Sequence, residues 1–277
     1  MKKLLLYIGA GILLLSACHD LNLNPLSSGS TENWYSTETE VQMAVDELYR
    51  YDFWPEDGQQ QTDWSDDYTS RDLLTSFDDG TLNGQNAWVT SLWGNQYKAI
   101  SRANAVIEKS HRAIENGASA ATINRLIAEA KFHRAAAYAK LIVKFGDLPL
   151  VLTDVSTEEG LTMGRTDKSI VLAQIYKDFD DAISVLPTSY TDQQRATQGA
   201  ALALKARVAL IMEDWETAAD AAKAVMDYGF EKYGLVVMAI CTSPTNKRSQ
   251  RVIEKCGFKY EGLQRRGYHI YDGTDRD

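Results

Sequence analysis

Apolar residues recur at helical spacing along most of the chain. In the first such stretch, Val41, Val45 and Leu48 follow one another at intervals of three or four positions, which places them on one face of a helix. The same spacing recurs in segments that begin near positions 88, 123, 168, 198 and 215, and glycine or proline ends several of them. The pattern predicts a mainly α-helical body over residues 31–230.

Local signals indicate where the later helices begin and end. Thr166 or Asp167 has a side chain suited to cap the helix that follows. The last two helices meet at Glu213-Asp214, and the second is expected to end at Gly229. Small residues line the facing sides of these helices and let them approach closely. We therefore predict helical hairpins like those of tetratricopeptide (TPR) repeats, in a degenerate form.

The periodicity changes after Phe230. The run "LVVMAIC", residues 235–241, is continuously apolar, which is typical of a buried strand. A helix is predicted over "KRSQRVIEKC", with Thr245 or Asn246 as its N-cap, and "FKYEG" and "GYHIYD" predict two further strands. Residues 231–277, which we call the tail, are thus predicted to form a small β-α-β-β unit.

The charge changes sign at the same place. Residues 18–230 contain 18 Lys and Arg against 32 Asp and Glu, a net charge of −14, whereas the tail contains nine against six, a net charge of +3. The body and the tail therefore look like parts of two different proteins, joined near Phe230. The whole chain has a net charge of −9, which argues against nucleic acid as a general partner.

Residues 1–17 have the pattern of a signal peptide. Two lysines precede twelve apolar residues, Leu4–Leu15, and this run is too short to span a bilayer, which takes ~20 residues. The sequence "LSAC", which ends at Cys18, resembles a bacterial lipobox. The resemblance implies that Cys18 is lipidated and anchors the chain to a membrane, with residues 18–30 as a polar tether. A secreted protein with an unmodified Cys18 is the alternative.

Several motifs of the body resemble the SusD/RagB family. "AEAKFHRAAAYAKLIVKFGDLPLV" is similar to that family's signature, an acidic-Ala-basic helix followed by an aromatic-Gly-Asp-x-Pro-Leu turn. The early "LNLNP" and the segments "QYKAISRANAVI", "GRTDKSIVLAQIYKDFDDAISVLP" and "ATQGAALALKARVAL" follow in the family's order. The resemblance covers residues 18–230 and implies a TPR-like fold.

The same resemblance implies a function. Members of the family are lipoproteins, exposed at the surface of the outer membrane, that capture glycans or other nutrients and cap a SusC-like, TonB-dependent transporter. They are considerably longer than this body. The expectation is therefore a nutrient-binding protein that lacks its second half and is impaired by the loss.

Residues that could bind a glycan are concentrated before and at the start of the second predicted helix. Five of the six tryptophans lie between Trp34 and Trp93. Flat indole rings stack on sugars, while amides and carboxylates bond to hydroxyl groups. Tryptophans can equally belong to the core, the expected role of Trp93 on its apolar stripe. The candidate glycan-binding residues are those of two polar loops: Trp64, Asp67, Arg71, Asn83, Asn86 and Trp88.

No residue pattern indicates a metal site or a catalytic centre. Four aspartates could offer oxygen ligands to Ca²⁺, but EF-hand spacing is missing and a solvated acidic loop is the better interpretation: Asp63, Asp66, Asp67 and Asp72. The four histidines are isolated from metal motifs, and His133 is expected to be a structural residue. The body contains no phosphate loop or nucleophile elbow. We predict no catalytic residue, metal or cofactor.

The tail resembles the C-terminal end of GNAT acetyltransferases through "VIEKCGFKYEG" and its N-x-x-S helix start. The resemblance implies that Asn246 and Ser249 are vestigial positions near the pantetheine arm of coenzyme A. That family binds the pyrophosphate with an [RQ]-x-x-G-x-[GA] turn at a helix N-terminus. The turn is missing here, since Gly199 in the nearest string, "RATQGA", comes one position late.

Three functions remain open at this point. The first is a non-enzymatic, nutrient-binding lipoprotein joined to an acetyltransferase fragment by a rearranged or mis-assembled gene. The second is an acetyl-CoA-dependent N-acetyltransferase, which binding of acetyl-CoA would reveal. The third is a TPR-like scaffold that binds a partner protein and no glycan. The tail could also be a divergent natural continuation of the body.

Overall fold

The computed structural model describes residues 34–51, 80–191, 194–240 and 247–262, together with the paired residues 268–269 and 275–276. The elements follow in the order α1 (Glu38–Leu48), α2 (Ala87–Lys109), α3 (His111–Glu115), α4 (Ala120–Phe145), α5 (Thr157–Thr162), α6 (Lys168–Val185), α7 (Gln198–Ile211), α8 (Trp215–Tyr233), α9 (Lys247–Lys255), β1 (Tyr268–His269) and β2 (Asp275–Arg276). The predicted helical body is confirmed. Helices α3 and α5 were not predicted, because they are too short to show a period.

Helix α4 lies at the centre of the body. It begins after Ser119, whose side chain accepts a hydrogen bond from the Thr122 N–H, and it ends at Gly146, whose φ of +70° favours glycine. Helices α1, α2, α6 and α7 all pack against it. The small residues of Ala135–Ala139 are buried, and they let these neighbours approach closely.

Two groups of buried apolar side chains share α4. One joins its first half to α1 and α2, with Val45 and Ile123 among its members. The other joins its second half to α6 and α7, with Phe132 and Phe179 packed edge to face at 6.1 Å between ring centroids. Burial of each large apolar side chain contributes ~1.5–3 kcal/mol, so apolar packing dominates the stability of the body.

Helices α7 and α8 form a hairpin, and their junction lies where the sequence predicts it. Asp214 caps α8 by accepting a hydrogen bond from the Thr217 N–H at 3.2 Å. Near the start of α7, a Cβ on Gly199 would come within 2.6 Å of the Tyr228 ring, so this close approach requires glycine. Tyr228 in turn donates a hydrogen bond to the Thr188 carbonyl oxygen.

Helix α8 continues beyond its predicted end at Gly229. It runs to Tyr233 and ends at Gly234, which adopts a left-handed φ of +62°. The side chains of Leu235 and Met238 fold back to within 3.1 and 3.0 Å of the place where a Gly229 Cβ would lie. Gly229 therefore serves close packing and not helix termination, and α8 crosses the boundary predicted near Phe230.

The β-α-β-β unit predicted for the tail is not confirmed. Helix α9 forms as expected, but residues 235–240 and 258–262 have no strand conformation. Strands β1 and β2 are two residues each, paired antiparallel with Tyr268 opposite Arg276. A strand depends on hydrogen bonds to a neighbour. The apolar run has no strand partner among the described residues, and Val236 within it is 92% exposed.

Candidate functional site

The structure brings three of the six candidate glycan-binding residues together. Asn83, Asn86 and Trp88 lie at the N-terminal end of α2, which we call the α2 edge. The other three, Trp64, Asp67 and Arg71, fall outside the described residues, as do the four aspartates considered for Ca²⁺. The α2 edge is therefore the part of the predicted site whose geometry can be described.

Both asparagines of the α2 edge shape the backbone that leads into the helix. The Asn83 side chain accepts a hydrogen bond from the Gln85 N–H at 2.9 Å and donates one to the Thr81 carbonyl oxygen at 3.2 Å. Asn86 caps α2 by accepting a hydrogen bond from the Trp88 N–H at 2.9 Å. These bonds hold the turn in one conformation and leave the Asn83 side chain at the surface.

Trp88 and Trp93 lie on the same helix, α2, and contact different side chains. Trp93 packs against the core, with ring centroids 5.2 Å from Phe145 and 4.8 Å from Tyr97. Trp88 is also half-buried, and the Lys144 ammonium lies 5.3 Å from its ring centroid in a cation–π contact. A half-exposed indole beside an ammonium and two amides can stack on a sugar ring and donate hydrogen bonds to its hydroxyl groups.

The segment that follows α4 is held in place by hydrogen bonds with tyrosine and asparagine side chains. Tyr97 donates a hydrogen bond to the Pro149 carbonyl oxygen at 2.9 Å, and the Tyr138 hydroxyl accepts one from the Val151 N–H at 2.7 Å. Burial raises the pKa of Tyr138 to about 12, so its hydroxyl keeps its proton. The Asn104 amide donates to the Val151 and Thr153 carbonyl oxygens. The Gly-Asp-x-Pro-Leu turn is thereby anchored to α2 and α4.

A buried ion pair joins this region to α6. The Arg134 guanidinium donates to both carboxylate oxygens of Asp178, at 2.7 and 2.8 Å, and both side chains are almost completely buried. Arg134 also donates to the Asn104 side-chain oxygen at 2.8 Å. Because the guanidinium donates two hydrogen bonds to the same carboxylate, each buried charge has a partner of opposite sign. The pair also fixes the orientation of α4 relative to α6.

A second buried cluster surrounds Glu129 of α4. Its carboxylate is fully buried and accepts hydrogen bonds from Tyr49 of α1 at 2.9 Å and from Arg195 at 2.8 Å. Arg195 also pairs with Asp46 at 2.6 Å. Burial raises the pKa of Tyr49 well above its usual value, and the Glu129 charge adds to this. This cluster is not predicted from the sequence, although a charged residue among the alanines of α4 is a usable signal.

His133 lies one turn beyond Glu129 in α4. Its ring meets the rings of Tyr49 and Phe132 edge to face, at 4.3 and 5.3 Å between centroids. Burial, and to a lesser extent the Arg195 charge, lowers the pKa of His133 to about 3. His133 is therefore neutral at physiological pH and packs as an aromatic residue, in agreement with the structural role expected for it.

Neither a metal site nor a membrane-spanning helix is found among the residues that the structure describes. No group of three or more His, Cys, Asp or Glu side chains in them has the arrangement of a metal site. None of their helices is both long enough and apolar enough to span a membrane. Of the two vestigial acetyltransferase positions, Asn246 falls outside these residues, and Ser249 lies in α9.

The end of the body and the first part of the tail match the model of an acetyltransferase family. The model of the acetyltransferase (GNAT) domain matches residues 195–259, which include α7 and α8. In the structure these two helices form a hairpin, and α7 packs against α4 and α6. The similarity to acetyltransferases therefore begins earlier in the chain than the resemblance of the tail alone suggested.

Curated relatives of this chain are SusD-like proteins. It is 28% identical over 244 residues to SusD-like protein P2 of Formosa agariphila, which covers 82% of this chain and 46% of that protein. It is 24% identical to a SusD-like protein of Bacteroides ovatus, over 78% of this chain and 40% of that protein. The chain thus spans less than half the length of either relative.

Solved structures show the same fold. A SusD-like carbohydrate-binding protein of Bacteroides fragilis superposes with a TM-score of 0.60 at 25% identity, over 70% of this chain and 41% of that one. A laminarin-binding SusD-like protein superposes with a TM-score of 0.56 at 23% identity, over 69% and 44% of the two chains. The SusD-like family model described as "Starch-binding associating with outer membrane" matches residues 21–210. The chain belongs to this SusD-like family.

Proposed function

We propose that this protein binds a glycan at the surface of the outer membrane, without catalysing a reaction on it. The observation that carries the proposal is the match of residues 21–210 to a family described as starch-binding and associated with the outer membrane. The laminarin-binding relative supports a polysaccharide fragment as the ligand. The α2 edge supplies a ring for stacking and amides for hydroxyl groups.

Calorimetry with laminarin and starch oligosaccharides tests this proposal. We expect Trp88→Ala to weaken binding by at least tenfold, because a tryptophan at the centre of a contact commonly contributes more than a tenfold factor in affinity. Trp215→Ala is the matched control, since Trp215 is 62% exposed on a different helix. Equal thermal midpoints of wild type and Trp88→Ala would show that a lost contact, and not lost folding, weakens binding.

Equal affinities of wild type and Trp88→Ala for the oligosaccharide that binds would remove the α2 edge from the site. Candidates Trp64, Asp67 and Arg71 would then be the residues to test. The absence of binding to any glycan would contradict the proposed function itself.

Anchoring through Cys18 is the second part of the proposal. The lipobox-like "LSAC" and the short apolar run before it support lipidation at this residue. Mass spectrometry of the membrane fraction is expected to find an acylated Cys18 at the N-terminus of the mature chain, and Cys18→Ala is expected to release the protein. An unmodified, soluble mature chain would contradict this part.

Delivery to a SusC-like, TonB-dependent transporter is the third part. Affinity purification from the native host is expected to recover such a barrel together with the protein. If the barrel or another protein copurifies while no glycan binds, the protein is better described as a TPR-like scaffold. That result would contradict the proposed nutrient-binding function.

Acetyl-CoA binding is the second candidate function, favoured by the match of residues 195–259 to the GNAT domain. Against it, residues 198–211 and 215–233 are helices of the body, and the string "RATQGA" lacks the spacing of a pyrophosphate loop. We expect no acetyl-CoA binding by calorimetry. Micromolar binding would promote the enzymatic alternative.

A further inference from the structure

Helix α8 carries a second apolar side in addition to the side by which it packs on α7. Six apolar residues follow one another at intervals of three and four positions, and we call them the α8 stripe: Trp215, Ala219, Ala222, Met226, Phe230 and Tyr233. At about 100° per residue, these six lie within an arc of about 80° on the helix surface. The buried residues Ala218, Ala221 and Tyr228 are centred about 120° away from that arc.

The α8 stripe faces solvent, although its spacing is that of a helix–helix contact. Trp215 is 62% exposed, Phe230 39% and Tyr233 58%, and the two alanines of the stripe are exposed as well. Of the helices that the structure describes, α7 is the one against which α8 packs extensively. Apolar residues at alternating intervals of three and four form the seam between two packed helices. A row of exposed apolar residues on one helix marks an interaction surface.

We propose that the α8 stripe packs against the α8 stripe of a second copy of this chain, with the two helices antiparallel about a two-fold axis near residue 224. A surface that binds its own copy has to be complementary to itself. This axis places Ala219 at the level of Phe230 of the partner subunit, and Ala222 at the level of Met226 of the partner subunit. Small side chains thus lie opposite large ones along the whole stripe, and each large side chain has room to pack.

The charges beside the stripe are complementary to themselves as well. Lys223 is the charged residue that lies closest to the stripe on the helix surface, and Asp227 follows one turn later on the same flank. The two form an ion pair within α8, with side chains 72% and 50% exposed. An antiparallel two-fold contact brings equivalent flanks together, so that each Lys223 ammonium lies beside Asp227 of the partner subunit. Flanking pairs of this kind set the choice and the orientation of a helical partner.

Sedimentation equilibrium tests the proposal on the full chain carrying Cys18→Ala, under reducing conditions. Neither an acyl chain nor a disulfide through the exposed Cys256 then contributes to association. We expect a monomer–dimer equilibrium with a micromolar dissociation constant, since an interface of one helix per subunit is small. Met226→Asp should weaken dimerisation by about 100-fold or more, because two carboxylates then meet near the axis.

Met43→Asp is the matched control, because Met43 is a 55% exposed methionine in the middle of α1. It should dimerise like the parent. Because the N-terminal apolar run is the same in every variant, its contribution cancels. Equal dimerisation of Met226→Asp and Met43→Asp, or a parent that stays monomeric at every concentration, would overturn the proposal. A monomer whose α8 stripe binds a different protein would overturn it as well.

Charge reversal tests the orientation at exposed positions, where a substitution leaves the fold intact. Lys223→Asp should weaken dimerisation by about tenfold, because each introduced carboxylate lies beside Asp227 of the partner subunit. Adding Asp227→Lys reverses both members of the pair and should restore the affinity of the parent. A double variant that stays as weak as Lys223→Asp would overturn the antiparallel arrangement.

Discussion

The body buries several charged side chains, whereas the tail exposes all of those that the structure describes. In the body, Glu129, Arg134 and Asp178 are buried, and each is held by an oppositely charged partner from a distant part of the chain. In the tail, the described charges and most of the apolar side chains are exposed. Buried pairs between distant segments permit one arrangement of helices and penalise others. The difference teaches that the body specifies its own packing through buried contacts, whereas most of the described part of the tail contributes few such contacts.

The largest expected effect comes from breaking the buried pair between α4 and α6. Asp178→Ala leaves the Arg134 guanidinium buried without its carboxylate, which should lower the free energy of unfolding by about 3–5 kcal/mol. Urea denaturation followed by circular dichroism measures the change. Asp180→Ala is the matched control on the same helix, because the Asp180 side chain is 55% exposed in its pair with Lys205. It should cost about 1 kcal/mol or less.

Similar losses in the two aspartate variants would mean that burial of the Arg134–Asp178 pair does not determine the packing of the body. The contrast with the tail would then rest on apolar burial alone.

Acidification gives the next largest effect, through His133. Its pKa is about 3 in the folded protein and about 6.5 when unfolded, so the unfolded chain binds the additional proton between these values. Stability is therefore lost as the pH falls below about 6.5. We expect a loss of about 2 kcal/mol between pH 7 and pH 5. Tyr49 and Arg195, which face the ring, do not change charge in this range.

The measurement is urea denaturation at both pH values for wild type, His133→Gln and His111→Gln. Glutamine at 133 cannot take up the proton, so that variant should lose much less stability on acidification than wild type. His111 is exposed and lies beside the Glu108 carbonyl oxygen, which makes it the control for removing a surface histidine. An unchanged pH dependence in His133→Gln would show that another group carries the effect.

How much of the structure the sequence predicts depends on whether a feature is set by neighbouring residues or by residues far apart in the chain. Apolar periodicity is local, so the long helices and the α7–α8 junction were predicted correctly. The Glu129–Arg195 and Arg134–Asp178 pairs join residues that are 66 and 44 positions apart, and no local pattern shows such pairing. At Gly229 a helix-ending residue was inferred where close contact with Leu235 and Met238 requires glycine. The run "LVVMAIC" has the composition of a strand, but composition supplies no partner strand.

The smallest expected effect locates the end of the body. Tyr233 donates a hydrogen bond to the Thr188 carbonyl oxygen at 3.2 Å, and its ring packs 5.5 Å from that of Tyr228. Leu235 and Met238 cover Gly229. A chain that stops after residue 240 keeps all these contacts, so its free energy of unfolding should lie within about 0.5 kcal/mol of the full chain. A chain that stops after residue 230 loses them and should be less stable by about 1 kcal/mol or slightly more.

Limited proteolysis of the full chain should cut first beyond residue 240. Equal stabilities of the two truncated chains would return the boundary to Phe230. A large loss on removing residues 241–277 would show that the tail shares the core of the body, and the contrast between the two regions would not hold.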